Sequence, residues 1–209
     1  MKVMGVVGGV CSGKSLVSRR LGDWGAMVLD ADQTGHAVLC EPEIRECLRQ
    51  RWGEEVFDAA GRVDRGQVAR RVFGPPPEGP QELAFLEQVT HPRIGMRLRQ
   101  RMDQIASEQP GAVLVLDAAL LIEAGWDVWC DQLIFVDAPR AVRLARAQQR
   151  GWTEADFEAR EAAQAPLDKK RARADVVIDN SSTPEHTWEQ LEPVGRCLND
   201  ASCEESSKS

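Results

Sequence analysis

Residues 3–21 read VMGVVGGVCSGKSLVSRRL. An apolar, β-branched run from Val3 to Val7 passes into two glycines, then Ser-Gly-Lys-Ser, then an amphipathic segment. A continuous apolar run of this length predicts a strand buried on both faces. Gly8-x-x-x-x-Gly13-Lys14-Ser15 matches the phosphate-loop pattern completely, with the strand before it and the helix after it that the pattern requires. The glycines allow tight turns and close backbone approach. Successive N–H groups then form a nest for phosphate oxygens, helped by the positive end of the following helix. Lys14 is expected to reach the β- and γ-phosphates of a nucleotide and Ser15 to hold Mg²⁺. Gly8, Gly9 and the backbone amides of Cys11, Ser12 and Leu16 are expected to complete the cradle. A glycine-rich turn with a solvated lysine is the plain alternative, and the flanking strand and helix argue against it. Cys11 has no partner cysteine in sight, so its position does not make it a redox switch.

Outward from the loop, strands and helices alternate. Residues 26–32 (AMVLDAD), 112–117, 132–137 and 174–180 predict four more strands. Helices are expected over 14–24, 41–52, 64–73, 81–108, from Pro139 to 150, and over 184–198, with a bend near His91-Pro92. Thr153 begins a capping-box pattern with Asp156 three residues on. GPPPEGP, residues 74–80, predicts a loop. The resulting fold class is α/β: a mostly parallel five-stranded sheet with flanking helices. Residues 1–198 form one domain in this reading, with 41–108 as a helical acceptor lobe, 140–173 as a lid, and 199–209 as an unstructured tail.

Three carboxylates fall near expected strand ends. Asp32 is placed to orient a hydroxyl toward the γ-phosphate, and Asp117 to hold Mg²⁺ or its water. Asp30 reads first as a loop or capping residue. Arg140, Arg143, Arg146 and Arg150 recur along one helix, and Arg150, just before Gly151, is placed to fold over phosphate. KKRAR, residues 169–173, asks either for an anionic ligand or for an acidic neighbouring surface. Arg62, Asp64 and Arg65 either bind an acceptor phosphate or pair with one another. His91 reads first as a packing histidine, Glu123 as a local pairing group, and Trp52, Trp126, Trp129 and Trp152 as packing aromatics.

Composition narrows the function classes. The chain has 209 residues, a net charge of -7, six cysteines without C-x-x-C spacing and three histidines. The acidic balance argues against nucleic acid as a partner held through the overall field, and the cysteine and histidine pattern argues against zinc. No run of about 18 apolar residues occurs, so no membrane span is expected. No secretory signal is read at the start, and a reduced, cytoplasmic setting without an obligate protein partner is the expectation.

Together these pieces resemble the dephospho-coenzyme A kinase family. GGVCSGKS, LDAD, GRVDRGQVARRVF, THPRI, VLDAALLIEAG, IFVDAP and KKRARADVVIDNS occur in that family's order and approximate spacing, over about residues 1–198. The resemblance implies transfer of the ATP γ-phosphate to the ribose 3'-hydroxyl of dephospho-coenzyme A, with Mg²⁺. It implies Asp32 as the base, Arg150 as the lid arginine, and Arg62, Asp64, His91 and Glu123 in motifs of the acceptor side. Val7, Cys11, Leu16 and Ala119 depart from the usual threonine, glycine, threonine and proline; Lys14, Ser15 and the backbone donors remain. The rival readings are a kinase for another small metabolite, such as a nucleoside monophosphate, and a nucleotide-dependent regulatory protein.

Overall fold

The computed structural model describes residues 1–203, with the side chains of 197–203 excepted. Its elements in chain order begin with β1 (Lys2–Gly8), α1 (Lys14–Asp23), β2 (Met27–Asp30), α2 (Ala31–Val38), α3 (Pro42–Trp52), α4 (Arg65–Val72) and α5 (Glu78–Glu108). They continue with β3 (Val113–Asp117), β4 (Gln132–Asp137), α6 (Arg140–Gln149), α7 (Glu154–Ala162), α8 (Leu167–Ala172), β5 (Val176–Asp179) and α9 (Pro184–Cys203). Short 3-10 turns cover Gly53–Val56 and Trp126–Trp129.

The five strands pair in the order β2-β3-β1-β4-β5, all parallel. A parallel pair cannot be closed by a hairpin, so each strand needs a crossover, and the helices supply it. The chain leaves β1 toward β2 on one side and leaves β4 toward β5 on the other. The loops at the C-terminal ends of neighbouring β1 and β4 therefore diverge, which is where ligands bind in such sheets.

Burial explains the strand sequences. Met4 and Val6 of β1, Val115 of β3, Ile134 and Val136 of β4 and Ile178 of β5 pack with Val17 and Leu21 of α1 and Leu191 and Val194 of α9. All six strand residues are almost fully enclosed. Truncating a residue such as Leu21 to Ala costs about 2–5 kcal/mol at a site of this kind. On the opposite face of β1, Gly5 leaves room that a Cβ would fill, at 2.6 Å from Leu133 and 2.8 Å from the Cys130 sulfur.

The chain divides into two compact units, Met1–Ala31 with Arg99–Ser209, and Asp32–Leu98. The first holds the sheet. The second is helical, with Ile44, Leu48, Trp52, Val56, Val68 and Val72 buried. Within it, Trp52 meets Phe85 edge-on at 5.5 Å and donates to Glu82 at 2.6 Å.

Several local expectations are corrected. Strand two is shorter than 26–32: it stops at Asp30, and Ala31 opens α2. The loop expected over 74–80 ends early, because α5 starts at Glu78. Pro80 falls in its first turn, where an N–H has no intrahelical acceptor to lose. Helix α8 covers most of KKRAR, which carried no helical expectation. Pro92 sits inside one helix that runs to Glu108. Helix α9 runs on to Cys203, into the stretch read as a tail; residues 204–209 of that tail lie outside the described residues. The capping box at Thr153 is present in both its hydrogen bonds.

Candidate active site

The loop from Gly8 to Gly13 leaves the sheet beside β4 and enters α1. Gly8 packs so close to that strand that a Cβ would lie 2.5 Å from the Val136 carbonyl. Gly9 meets the Arg143 guanidinium at 2.9 Å in the same sense. Gly13 caps α1 with φ 101 and no side-chain cap hydrogen bond. Ser12 donates its amide to the Gly9 carbonyl at 3.2 Å and Leu16 to that of Gly13 at 2.9 Å. Of the three amides expected in the cradle, those two are therefore engaged inside the loop.

Lys14 is half-buried and folds back over the loop, with Nζ 3.1 Å from the Gly9 carbonyl and 3.4 Å from that of Gly8. An ammonium resting on the loop's own carbonyls lies where it can exchange them for phosphate oxygens. Ser15 is exposed at the second position of α1. Asp117 ends β3 and is 8 % exposed. It pairs in register with Val6 of β1 and with Asp30 of β2, so both carboxylates stand at the C-terminal edge of the sheet. No group of three or more metal-ligating side chains occurs among the described residues. The hydroxyl of Ser15 and the carboxylate of Asp117 are the ligand types that magnesium takes beside phosphate oxygens and water. Cys11 adopts φ 57, a conformation that favours glycine. Its side chain is buried with Val10, Ala147 and Phe157, which gives a non-glycine residue there a packing contribution.

Helix α6 divides its four arginines among different tasks. Arg140 pairs with Glu154 at 3.0 Å and Glu158 at 2.7 Å, both on α7. Arg143 is buried, donates to the Ala138 carbonyl at 3.0 Å and pairs with Glu161. Arg146 donates to the Ser12 carbonyl at 2.9 Å and to the Asn180 carbonyl at 2.8 Å. Arg150 caps the end of α6 and is exposed. It makes no side-chain hydrogen bond or ion pair among the described residues.

The basic run before β5 finds acidic partners in its own unit. Arg171 pairs with Asp137, and Arg173 with Asp127 at 2.9 Å. Lys170, 1 % exposed, pairs with Glu123 at 2.8 Å and donates to Gln164 at 3.0 Å. Glu123 also accepts the Ala165 amide at 2.8 Å. Glu123 thus serves as a pairing group, but its partners lie far along the chain and not locally as expected.

In the helical unit, Asp32 is exposed in the first turn of α2, two residues past the end of β2. Arg62, Asp64 and Arg65 do not pair with one another. Arg62 pairs with Asp58 at 2.8 Å, and the Asp58 carboxyl is held below its ordinary range chiefly by the Arg62 backbone amide. Asp64 caps α4 by accepting from Gly66 and Gln67. Arg65 lies 2.6 Å from a ring nitrogen of His36. His91 is half-buried within α5. Trp126 stacks on Trp129 at 6.0 Å and Trp152 carries Arg160 at 4.1 Å, so these rings pack on protein.

The loop supports missed at the level of sequence are Arg146, Asn180 and Thr187. The spacing of arginines on α6 pointed at the first. Nothing in the order of residues pointed at the other two.

No helix among the described residues is long and apolar enough to cross a membrane. The family model described as dephospho-CoA kinase matches residues 2–185. A dephospho-CoA kinase of Thermobifida fusca is 36% identical over 202 residues, covering 92% of this chain and 97% of that protein. One of Aquifex aeolicus is 34% identical over 196 residues, covering 93% and 96%. Among solved structures, TT1252 of Thermus thermophilus superposes with a TM-score of 0.75 at 33% identity, covering 94% of this chain and 97% of that one. The dephospho-CoA kinase of Campylobacter jejuni shares the fold, with a TM-score of 0.68 at 21% identity over 96% and 99% of the two chains.

Proposed function

This chain belongs to the dephospho-CoA kinase family, and on that premise we propose that it transfers the γ-phosphoryl group of ATP to the ribose 3'-hydroxyl of dephospho-coenzyme A. The products are coenzyme A and ADP. The observation that carries the proposal is the extent of the family match, residues 2–185, which takes in the phosphate loop and the whole of the unit Asp32–Leu98. A phosphate loop alone is common to many kinases; a match through the helical unit as well favours this acceptor over others.

Transfer is direct and in line, without a phosphoenzyme. The loop amides and the start of α1 hold the phosphates of ATP, and Lys14 neutralises charge on the β- and γ-phosphates. Ser15 and Asp117 would hold Mg²⁺, which would supply neutralisation of the phosphate charge. Asp32 orients the 3'-hydroxyl and takes its proton as the P–O bond forms. The loose transition state makes that orientation matter more than early proton removal. Arg143 and Arg146 are engaged with the protein, and Arg150, at the place of the lid arginine in the family resemblance, folds over the transferring group. Arg150 and the 153–173 region close over the nucleotide and exclude water.

The test is acceptor dependence of ADP formation in the presence of Mg²⁺. ADP produced with dephospho-coenzyme A, and not with nucleoside monophosphates or without acceptor, supports the proposal. Equal or faster turnover with a nucleoside monophosphate assigns another acceptor, and acceptor-independent hydrolysis assigns a nucleotide switch.

A further inference from the structure

We infer that Asn180 is a positioning residue for the phosphate loop: its side-chain amide holds the Ser12 carbonyl outward and so keeps the Gly13 N–H turned into the loop, with Thr187 fixing the orientation of the amide. The inference deepens the nucleotide-binding reading above and rests on it.

The Asn180 side-chain nitrogen donates to the Ser12 carbonyl at 2.7 Å, and Arg146 donates to the same oxygen at 2.9 Å. Because the peptide between Ser12 and Gly13 is planar and trans, its C=O and N–H point in opposite directions. An oxygen drawn toward Asn180 and Arg146 therefore sets the Gly13 N–H on the opposite side, where the phosphate nest forms. The flipped peptide would aim a carbonyl oxygen at phosphate and remove a donor. Asn180 is 2 % exposed and Ser12 fully buried, so water does not compete for the bond.

The side-chain amide can face either way, and its surroundings decide which. The Ser12 carbonyl only accepts, so nitrogen must face it. The Thr187 hydroxyl donates to the other end, Oδ1, at 2.9 Å, and Thr187 is itself fully buried. The Asn180 backbone is tied to β4 through its amide, which donates to the Asp137 carbonyl at 2.8 Å. The end of β5 and the start of α9 thus brace the loop after β1. Gly13 is part of the same fit: a Cβ there would come within 2.0 Å of the Asn180 nitrogen.

The test is the affinity for ADP, measured by calorimetry, of the wild-type chain and of Asn180→Leu, Thr187→Val and Thr187→Ser, with thermal melting to verify folding. Thr187→Val keeps the shape and loses the hydroxyl; Thr187→Ser does the reverse. We expect ADP binding weakened about tenfold in Asn180→Leu and about threefold or more in Thr187→Val, with Thr187→Ser within about twofold of wild type, the loss of one buried hydrogen bond being of that order. A packing role predicts the opposite ranking of the two Thr187 variants. Tight ADP binding by wild type with unchanged affinity in Thr187→Val and Asn180→Leu overturns the inference alone. Failure of the wild-type chain to bind ADP overturns it together with the nucleotide-binding reading.

Discussion

Lys170 of α8 and Glu123 of the segment after β3 form an ion pair at 2.8 Å, with the lysine 1 % exposed and the glutamate side chain 17% exposed. The pair ties the stretch that follows Asp117 to α8, and Glu123 strengthens the tie by accepting the Ala165 amide. The two partners differ in what their loss leaves behind. Glu123→Leu strands a buried ammonium, and breaking such a pair costs about 3–5 kcal/mol. Lys170→Met removes the buried charge and leaves a carboxylate nearer water. Urea denaturation should therefore find Glu123→Leu the more destabilised variant; the reverse order would mean that the pair is not the principal partner of Lys170.

Lys14→Ala should lower turnover by orders of magnitude and leave the fold intact. Lys14 lies over the loop carbonyls and takes no part in the core. Circular dichroism should match wild type while ADP affinity and phosphoryl transfer fall. Near-normal transfer by the variant would remove Lys14 from the mechanism.

Asp32→Asn separates catalysis from architecture. Asp32 is exposed, so its replacement does not open the core. The expected outcome is a large fall in kcat with KM for ATP changed by less than about threefold, the pattern of an interaction made in the transition state. A variant with normal kcat and weakened ATP binding would make Asp32 a structural residue of α2.

Helix α7 carries a pH-dependent cap. The Asp156 carboxyl is held below its ordinary range, first by the Thr153 hydroxyl and then by the Thr153 amide. A folded-state value below the unfolded one contributes stability above the ordinary carboxylate range, lost as pH falls through the depressed value. Hydrogen exchange of α7 amides should be faster in Thr153→Ala than in wild type at neutral pH. The difference should shrink in acid. A constant difference across that range would show that the hydroxyl, rather than the carboxylate, carries the cap.

Much of this architecture was legible in the order of residues, for physical reasons that also explain the remainder. β1, β3 and β4 are continuous apolar runs because a parallel sheet covered on both faces buries every side chain. The loop declared itself through glycine, lysine and serine at fixed spacing. Helix α2 did not, since Ala31–Val38 is short and includes Thr34 and Gly35, poor helix formers. Asp32 accordingly read as a strand-end carboxylate and stands instead in a helix's first turn. Lys170 read only as one cation of a basic run that asks for an anionic ligand or an acidic neighbouring surface, because the acid that draws it inward lies far off in sequence. Asn180 read as the last residue of strand five, before two serines, whereas β5 ends at Asp179; only the tertiary placement of Ser12 and Thr187 gives it a task.

The most direct measurement follows labelled phosphate from γ-labelled ATP, with Mg²⁺ and dephospho-coenzyme A, in one turnover, resolving the product by chromatography against authentic coenzyme A and its 2'-phosphate isomer. The account predicts label at the ribose 3'-position, appearing with wild type and lost with Lys14→Ala. Label found only in inorganic phosphate, or on another hydroxyl, would contradict it.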